Sequence, residues 1–240
     1  MKTLLVAMIT SLPLFSSATE TREHVILLHG LCRSSISMIF MERALSEAGY
    51  KVLNVDYPSR SESIEKLSEG AVGKAIEACQ QDGATAIHFV THSLGGILVR
   101  SYLSTHSVSN LGRVVMLGPP NQGSEVVDTL GSLRIFQIIN GPAGGELGTG
   151  TNSTPNRLGA AKFCVGVIAG DRSINWINSM MIHGSDDGKV SIERTKLEGM
   201  TDHIVIHSTH PFLMRNKNSI RQTIHFLRNG RFDHPKTPKD

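Results

Sequence analysis

From Glu23 onward the chain alternates between short runs of apolar, often β-branched residues and longer amphipathic stretches. No other feature restricts its fold so tightly. Strands separated by helix-length segments cannot pair through tight hairpins, so they return through helical crossovers and lie parallel. The expected strands are "HVILLHG" from His24, "KVLNVDYP" from Lys51 to Pro58, "TAIHFVT" from Thr85, "GRVVMLGPP" from Gly112, "KFCVGVIAG" from Lys162 and "HIVIHS" from His203. Their near-continuous apolar character requires cover on both faces of the sheet. The fold class is therefore α/β, a mostly parallel central sheet with helices on both faces.

Between these strands, "SMIFMERALSEAGY" carries Ile39, Phe40, Ala44, Leu45 and Ala48 near helical spacing, with Gly49 as a stop. Residues 61–82 place Ile64, Leu67, Ala71, Ala75 and Ala78 on one face, and a serine with acids in the first turn marks the start. Further helices are expected from Leu94 to His106 and from Asn218 to Leu227. Residues 119–161 depart from the pattern: the polar, glycine-rich "GPAGGELGTGTNSTPNRLG" follows an apolar patch, "LRIFQIIN". Such a stretch is either a surface insertion that buries Ile135, Phe136, Ile138 and Ile139 on the core or a lid over an apolar pocket. The tail "RNGRFDHPKTPKD" is polar and expected to be loose.

The first residues, "MKTLLVAMITSLPLFSSATE", combine one lysine, an apolar stretch from Leu4 to Phe15 and small residues at Ser16 and Ala18. This is the pattern of a secretory signal peptide, cleaved after Ala18, and the apolar stretch is short of the ~20 residues that span a bilayer. The protein is accordingly expected to be secreted or periplasmic. Export implies an oxidising compartment, yet there are only three cysteines, Cys32, Cys79 and Cys164. At most one bridge can form within the chain, and three small buried side chains is the equal alternative. With Lys2 removed, the 24 basic residues fall to 23 against 21 acidic ones. That balance does not predict nucleic-acid binding, and the lone Trp176 and dispersed tyrosines offer no stacking platform for it.

Residues 89–96 read "FVTHSLGG": an apolar strand ends on His92 and Ser93 and falls into Leu94, Gly95 and Gly96. A serine hydroxyl is a weak nucleophile unless a base takes its proton, and it must be presented at an exposed, tight bend. A strand that delivers the chain to Ser93, with two glycines that let the following helix start close by, supplies that bend. The pattern is GxSxG with Thr91 in the first glycine position. Threonine there costs packing room but removes no reactive group. At the helix N-terminus, the Leu94 amide would face negative charge developing on a substrate carbonyl. "HGL" ends the first strand, where the Leu31 amide could supply a second donor, while His29 is expected to bond loop backbone.

A triad needs an acid and then a histidine, in that order after the serine in this arrangement. "IHGSDDGKVSIERT" places Asp186 and Asp187 in a glycine-bounded loop, and "VIHSTHPFLM" places His207 and His210 around the last strand end. Asp187 is the expected acid because it precedes Gly188 and a strand-like "KVSI"; Asp186 could instead brace the turn, and either could be an Asx-turn carboxylate with no catalytic part. His210 is the expected base because it falls in the loop, whereas His203 and His207 lie at the ends of the strand "HIVIH".

On these residues the chain resembles the α/β-hydrolases of the exported bacterial lipase and esterase group, from "VILLHG" through "THSLGG" and "DDGKV" to "THPF". The resemblance implies a catalytic triad of Ser93, Asp187 and His210, with oxyanion-hole amides from Leu31 and Leu94. It also implies residues 19–240 as a single α/β-hydrolase domain, with about 119–161 as a lid or insertion. The implied substrate is a small-molecule or lipid carboxylic ester, cleaved through an acyl-enzyme without a cofactor. In that family an "HG" loop followed by a hydrophobic residue goes with medium or longer acyl chains. The departure is Thr91, which the family tolerates. Acyl transfer or thioester hydrolysis on the same triad is an alternative, as is a silent fold that binds lipid or a partner. Transient contact with a lipid surface and the oligomeric state stay open.

Two other possibilities are weaker. His203, His207 and His210 would share a face only on a helix, and no HExxH glutamate accompanies them, so a zinc site is not expected. The glycines of "GPAGGELGTG" do not follow a strand into a helix, so neither is a nucleotide cradle.

Overall fold

All six apolar runs become strands of one sheet: β1 Glu23–Leu28, β2 Lys51–Val55, β3 Ala86–His92, β4 Leu111–Leu117, β5 Val165–Gly170 and β6 Asp202–Ile206. The computed structural model describes residues 22–173 and 180–235, so the expected leader at 1–18 and Trp176 lie outside the described residues. Strand order is β2-β1-β3-β4-β5-β6, and every neighbouring pair is parallel. The order reverses between β1 and β3. At such a switch point, crossovers leave in opposite directions and open a crevice beyond the carboxyl ends of the two strands.

Alternation along each strand divides the core between the two faces of the sheet. Ile26 and Leu28 join Phe89, Val114, Met116, Val165 and Val167 on one face. Val25 and Leu27 join Val90, Val115, Leu117 and Ile168 on the other. The first face is covered by α2 (Ile64–Leu67), α3 (Lys74–Gln81) and α4 (Leu94–Thr105), which contribute Ile64, Ile76 and Ile97. The second is covered by α1 (Ile39–Glu47) and the closing helix Lys217–Asn229, which contribute Met41, Leu45, Phe226 and Leu227.

The crossover expected as one helix over 61–82 begins at Ile64, where the Ser63 hydroxyl accepts the Lys66 amide at 3.4 Å, and it is interrupted by a π-helical stretch, Ser68–Gly73. That stretch contains Gly70 and Gly73, whose weak α-preference makes a wider turn inexpensive there.

Residues 119–161 are more ordered than their composition suggests. They form α5 (Glu125–Leu130), α6 (Arg134–Gly145) and α7 (Thr154–Arg157). Of the two alternatives for this segment, the one in which all four large apolar residues of "LRIFQIIN" bury on the core is not what forms: Ile135 and Ile138 are 66% and 70% exposed. Burial falls instead to Val126, Ala143 and Leu147, the small and aliphatic residues on either side. Arg100 on α4 fastens this region from beneath. Its buried guanidinium donates to the carbonyl oxygens of Asn121 (2.9 Å), Pro155 (2.9 Å) and Gly159 (2.8 Å). With no carboxylate to offset its desolvation, burial lowers its pKa to about 10.

"KVSI" is not a strand. The Ser191 hydroxyl accepts the Arg194 amide at 3.3 Å and caps α8 (Ile192–Thr195), turning the chain into a helix. The closing helix Lys217–Asn229 is then α9, capped by Asn216, whose side chain accepts the amides of Asn218 and Ser219. All three cysteines are free thiols: Cys79 is buried, Cys164 half-buried and Cys32 exposed.

Candidate active site

At the carboxyl end of β3 the backbone of Ser93 takes φ +51° and ψ −118°, a combination closed to most non-glycine residues. Two neighbours hold it there. The Ser93 amide donates to Leu117 O of β4 at 2.9 Å, and α4 begins at the next residue. The Ser93 hydroxyl makes no capping bond to that helix. Gly95 allows the helix to start so close to the sheet, because a Cβ there would come within 2.7 Å of Leu28 O and 3.0 Å of His29 O. Thr91 is fully buried beneath the bend, and its hydroxyl finds no partner among the described residues.

Ser93 opens into a cavity of about 290 Å³ at the β1/β3 switch point. Leu31 after β1, His210 after β6, and Val127, Phe136, Ile139 and Leu147 from the insertion line the same cavity. Leu94 lies behind it with its side chain fully buried; as the first residue of α4 its amide has no intrahelical acceptor. The loop bearing Leu31 is held by His29, as its expected structural role requires. The His29 ring stacks on Tyr57 at 4.1 Å, its Nδ1 donates to Gly30 O at 2.8 Å, and its Nε2 accepts the Tyr57 amide at 3.3 Å. Burial lowers the His29 pKa, in keeping with a neutral ring whose two nitrogens play different parts.

The two candidate acids separate cleanly. Asp187 Oδ2 accepts a hydrogen bond of 2.7 Å from His210 Nδ1, while its Oδ1 accepts the amides of Lys189 (3.0 Å) and Val190 (2.9 Å). The Asp187 side chain is fully buried, and its backbone carbonyl also accepts the His210 amide at 2.9 Å. Asp186 turns the other way, its Oδ1 accepting the Gly188 amide at 2.6 Å in an Asx-type turn. The candidate histidines separate as well. His207 is exposed and meets Asp171 at 2.9 Å, and His203 meets the Thr195 hydroxyl at 3.2 Å.

Two neighbours of His210 were not foreseen from the sequence. His92 is buried, its Nε2 donating to His210 O at 3.0 Å, with the two rings 4.7 Å apart. Burial, followed by the nearby His210, pushes the His92 pKa well below 6.5, so this ring is neutral beside the site. Gly118, just past β4, has φ +55°, and a Cβ on it would come within 3.0 Å of both Asp187 Oδ2 and His210 Nδ1. The signal for Gly118 was a glycine that ends an apolar strand before two prolines. His92 carries no signal of its own, since a histidine beside Ser93 can point to either side of the sheet.

The arrangement thus brings Ser93, Leu31 and His210 to one cavity and backs His210 with Asp187. Residues 23–136 match the protein family described as alpha/beta hydrolase fold. No curated protein matches the chain by sequence. Among solved structures, the mature lipase BlEst2 of Bacillus licheniformis superposes with a TM-score of 0.71 at 19% identity, over 86% of this chain and 92% of that one. The metagenomic carboxyl esterase MGS0156 is similar at a TM-score of 0.64 and 15% identity, over 80% of this chain and 65% of that one. A monoacylglycerol lipase of Paleococcus ferrophilus is similar at 0.58 and 17%, over 88% and 96%. At such identities the likeness is one of fold. Together with the parallel sheet and its switch point, these matches identify the chain as a protein of the alpha/beta hydrolase fold.

Proposed function

We propose that the protein is a serine hydrolase that cleaves carboxylic esters through an acyl-enzyme. The observation that carries this reading is the buried 2.7 Å bond from His210 Nδ1 to Asp187, made by a histidine whose ring lines the same cavity as Ser93. A carboxylate on Nδ1 leaves Nε2 as the ring's basic nitrogen and stabilises the imidazolium once it forms. The apolar wall of Val127, Phe136, Ile139 and Leu147 suits an acyl chain.

In the proposed cycle His210 takes the Ser93 proton as Oγ attacks the ester carbonyl. The oxyanion that forms accepts hydrogen bonds from the Leu31 and Leu94 amides. His210 returns the proton to the departing alkoxide, leaving an acyl-serine and a free alcohol. Water then attacks the acyl carbonyl and gives one proton to His210, and as the intermediate collapses His210 passes that proton to Ser93 Oγ, restoring the serine and releasing the carboxylic acid. Each oxyanion donor of this kind lowers the barrier by ~3 kcal/mol.

Turnover of p-nitrophenyl esters of increasing acyl length tests the reading. Wild-type protein should hydrolyse them and Ser93→Ala should lose at least about 10⁴-fold in kcat. Unchanged turnover in the variant would exclude it. We propose in addition that the chain is exported with loss of residues 1–18; N-terminal sequencing of the exported protein should then begin at Thr19, and a retained Met1 would contradict this.

A further inference from the structure

Beside the Ser93 cavity lies a second groove, of about 430 Å³, lined by Tyr57, Pro58, Ser59, Arg60 and Ser61. Cys32 and Arg33 line both spaces, so the two adjoin at the loop that follows β1. The charge of the groove is one-sided: two guanidinium groups, Arg33 and Arg60, and no carboxylate. Lys189 adds a third cation on the cavity rim, which likewise has no acidic residue in its lining.

Among the described residues none of these three cations is in an ion pair. Acids close in sequence are engaged elsewhere. Asp56 accepts the Ser35 amide at 2.9 Å, Glu62 pairs with Lys66 at 3.2 Å, and Glu146 accepts the Ile64 amide at 3.0 Å and the Thr154 hydroxyl at 2.9 Å. Arg33 is near enough to the site to oppose protonation of His92. Arg60 is tethered toward the insertion, its Nη1 3.5 Å from Ile139 O.

The walls around Ser93 therefore differ in kind. The insertion side is apolar, through Val126, Val127, Phe136 and Leu147, and the side after β1 and β2 is cationic with serine hydroxyls. An ester divides at the carbonyl in the same way, into an acyl chain and an alcohol. We propose that the groove of Arg33 and Arg60 is a subsite for the alcohol portion of the substrate, and that this alcohol carries a phosphate group. A phosphate monoester bears about two negative charges at neutral pH and presents several strong acceptor oxygens. Two guanidinium forks match that charge and geometry, whereas a single carboxylate would balance one of them. This inference rests on the ester-hydrolase reading of Ser93.

Two esters with the same acyl group, 1-decanoylglycerol and 1-decanoylglycerol 3-phosphate, compared below their aggregation concentrations, test it. Wild-type kcat/KM should favour the phosphate ester by about tenfold or more, mainly through KM, and added NaCl should erode the preference by screening. Arg33→Gln with Arg60→Gln should bring the two esters to within about twofold. Equal or inverted preference in the wild type, or a preference that survives in the double variant, would overturn the proposal. If the double variant does not fold, each single substitution and the salt series probe the same preference: a loss supports the subsite and an unchanged preference removes it. Binding to Ser93→Ala by calorimetry separates this inference from the one beneath it: tighter binding of the phosphate ester supports the subsite even if neither ester is cleaved. Hydrolysis without preference would remove the subsite and leave the hydrolase. Inorganic phosphate should bind much more weakly than the ester; equal binding would mean an anion site unrelated to the substrate, against the proposal.

Discussion

His92 donates from Nε2 to the backbone oxygen of His210 at 3.0 Å, so the residue before the proposed nucleophile fixes the backbone of the proposed base. The bond joins the carboxyl end of β3 to the loop after β6, two segments that sequence separates by more than a hundred residues. The ring has to carry its proton on Nε2 to make it, and burial favours the neutral form. His92→Phe keeps a flat ring but removes the donor, and it should destabilise the protein by about 1–3 kcal/mol while lowering kcat more than it raises KM. Urea unfolding and steady-state kinetics on the same preparation check both halves.

The same buried histidine sets an acid limit on stability. The pKa values of His92, His29, His88 and His203 are all lowered from 6.5, chiefly by burial. Below pH 6.5 the unfolded chain takes up protons at these positions that the folded chain refuses, so unfolding becomes easier as pH falls. Above pH 6.5 their contribution is complete. The unfolding free energy from urea titrations should therefore drop between pH 7 and pH 5, with a smaller slope in His92→Phe; a flat profile would contradict the burial of these rings as neutral groups.

Gly118 is a second point of control over His210. Alanine there must adopt φ +55° and place a methyl group 3.0 Å from both ends of the Asp187–His210 bond. Gly118→Ala should cost about 1–3 kcal/mol in stability and displace the imidazole, lowering kcat. Thermal unfolding, together with the imidazole proton resonances of His210, reports the two effects separately.

Neighbouring carboxylates should give unlike results. Asp187→Asn places an amide against His210 Nδ1 and favours the wrong tautomer, with an expected loss of about 10⁴ in kcat. Asp186→Asn keeps an amide oxygen that can accept the Gly188 bond and leaves the Asp187–His210 pair in place, so kcat should change by less than about tenfold. Parallel kcat measurements on the two variants decide between the acids; equal losses would contradict the division of labour described here.

On α6, Ile138 is 70% exposed while Phe136 on the same helix lines the cavity. Ile138→Gln should alter stability by less than about 0.5 kcal/mol, because no core contact is removed. Phe136→Ala should change the acyl-chain profile, seen as altered kcat/KM across p-nitrophenyl esters.

The strands were legible because a sheet covered on both faces demands long apolar runs, and Val25 to Leu28 or Val165 to Ala169 have no other use. The bend at Ser93 was legible because strand, serine and paired glycines are contiguous. What the sequence hid depends on contacts between distant segments. Whether Ile135 faces core or solvent is set by how the whole 119–161 segment lies on the core, and Arg100 fastens the two ends of that segment through the carbonyl groups of Asn121, Pro155 and Gly159, which carry no side-chain signature. "KVSI" has the composition of a strand, but the capping hydroxyl of Ser191 and the pull of Asp187 on the Lys189 and Val190 amides decide the local backbone. The roles of His92 and Gly118 emerge only once β3, β4 and the His210 loop are adjacent.

Ser93 is the proposed nucleophile, and a covalent label that reacts only with an activated serine reports on that role without a substrate. The protein is treated with a fluorophosphonate, digested, and mapped by mass spectrometry. One adduct is expected, on the peptide containing Ser93, with its loss in Ser93→Ala and strong slowing in Asp187→Asn. A stable adduct on another serine, or labelling that persists in Ser93→Ala, would contradict it.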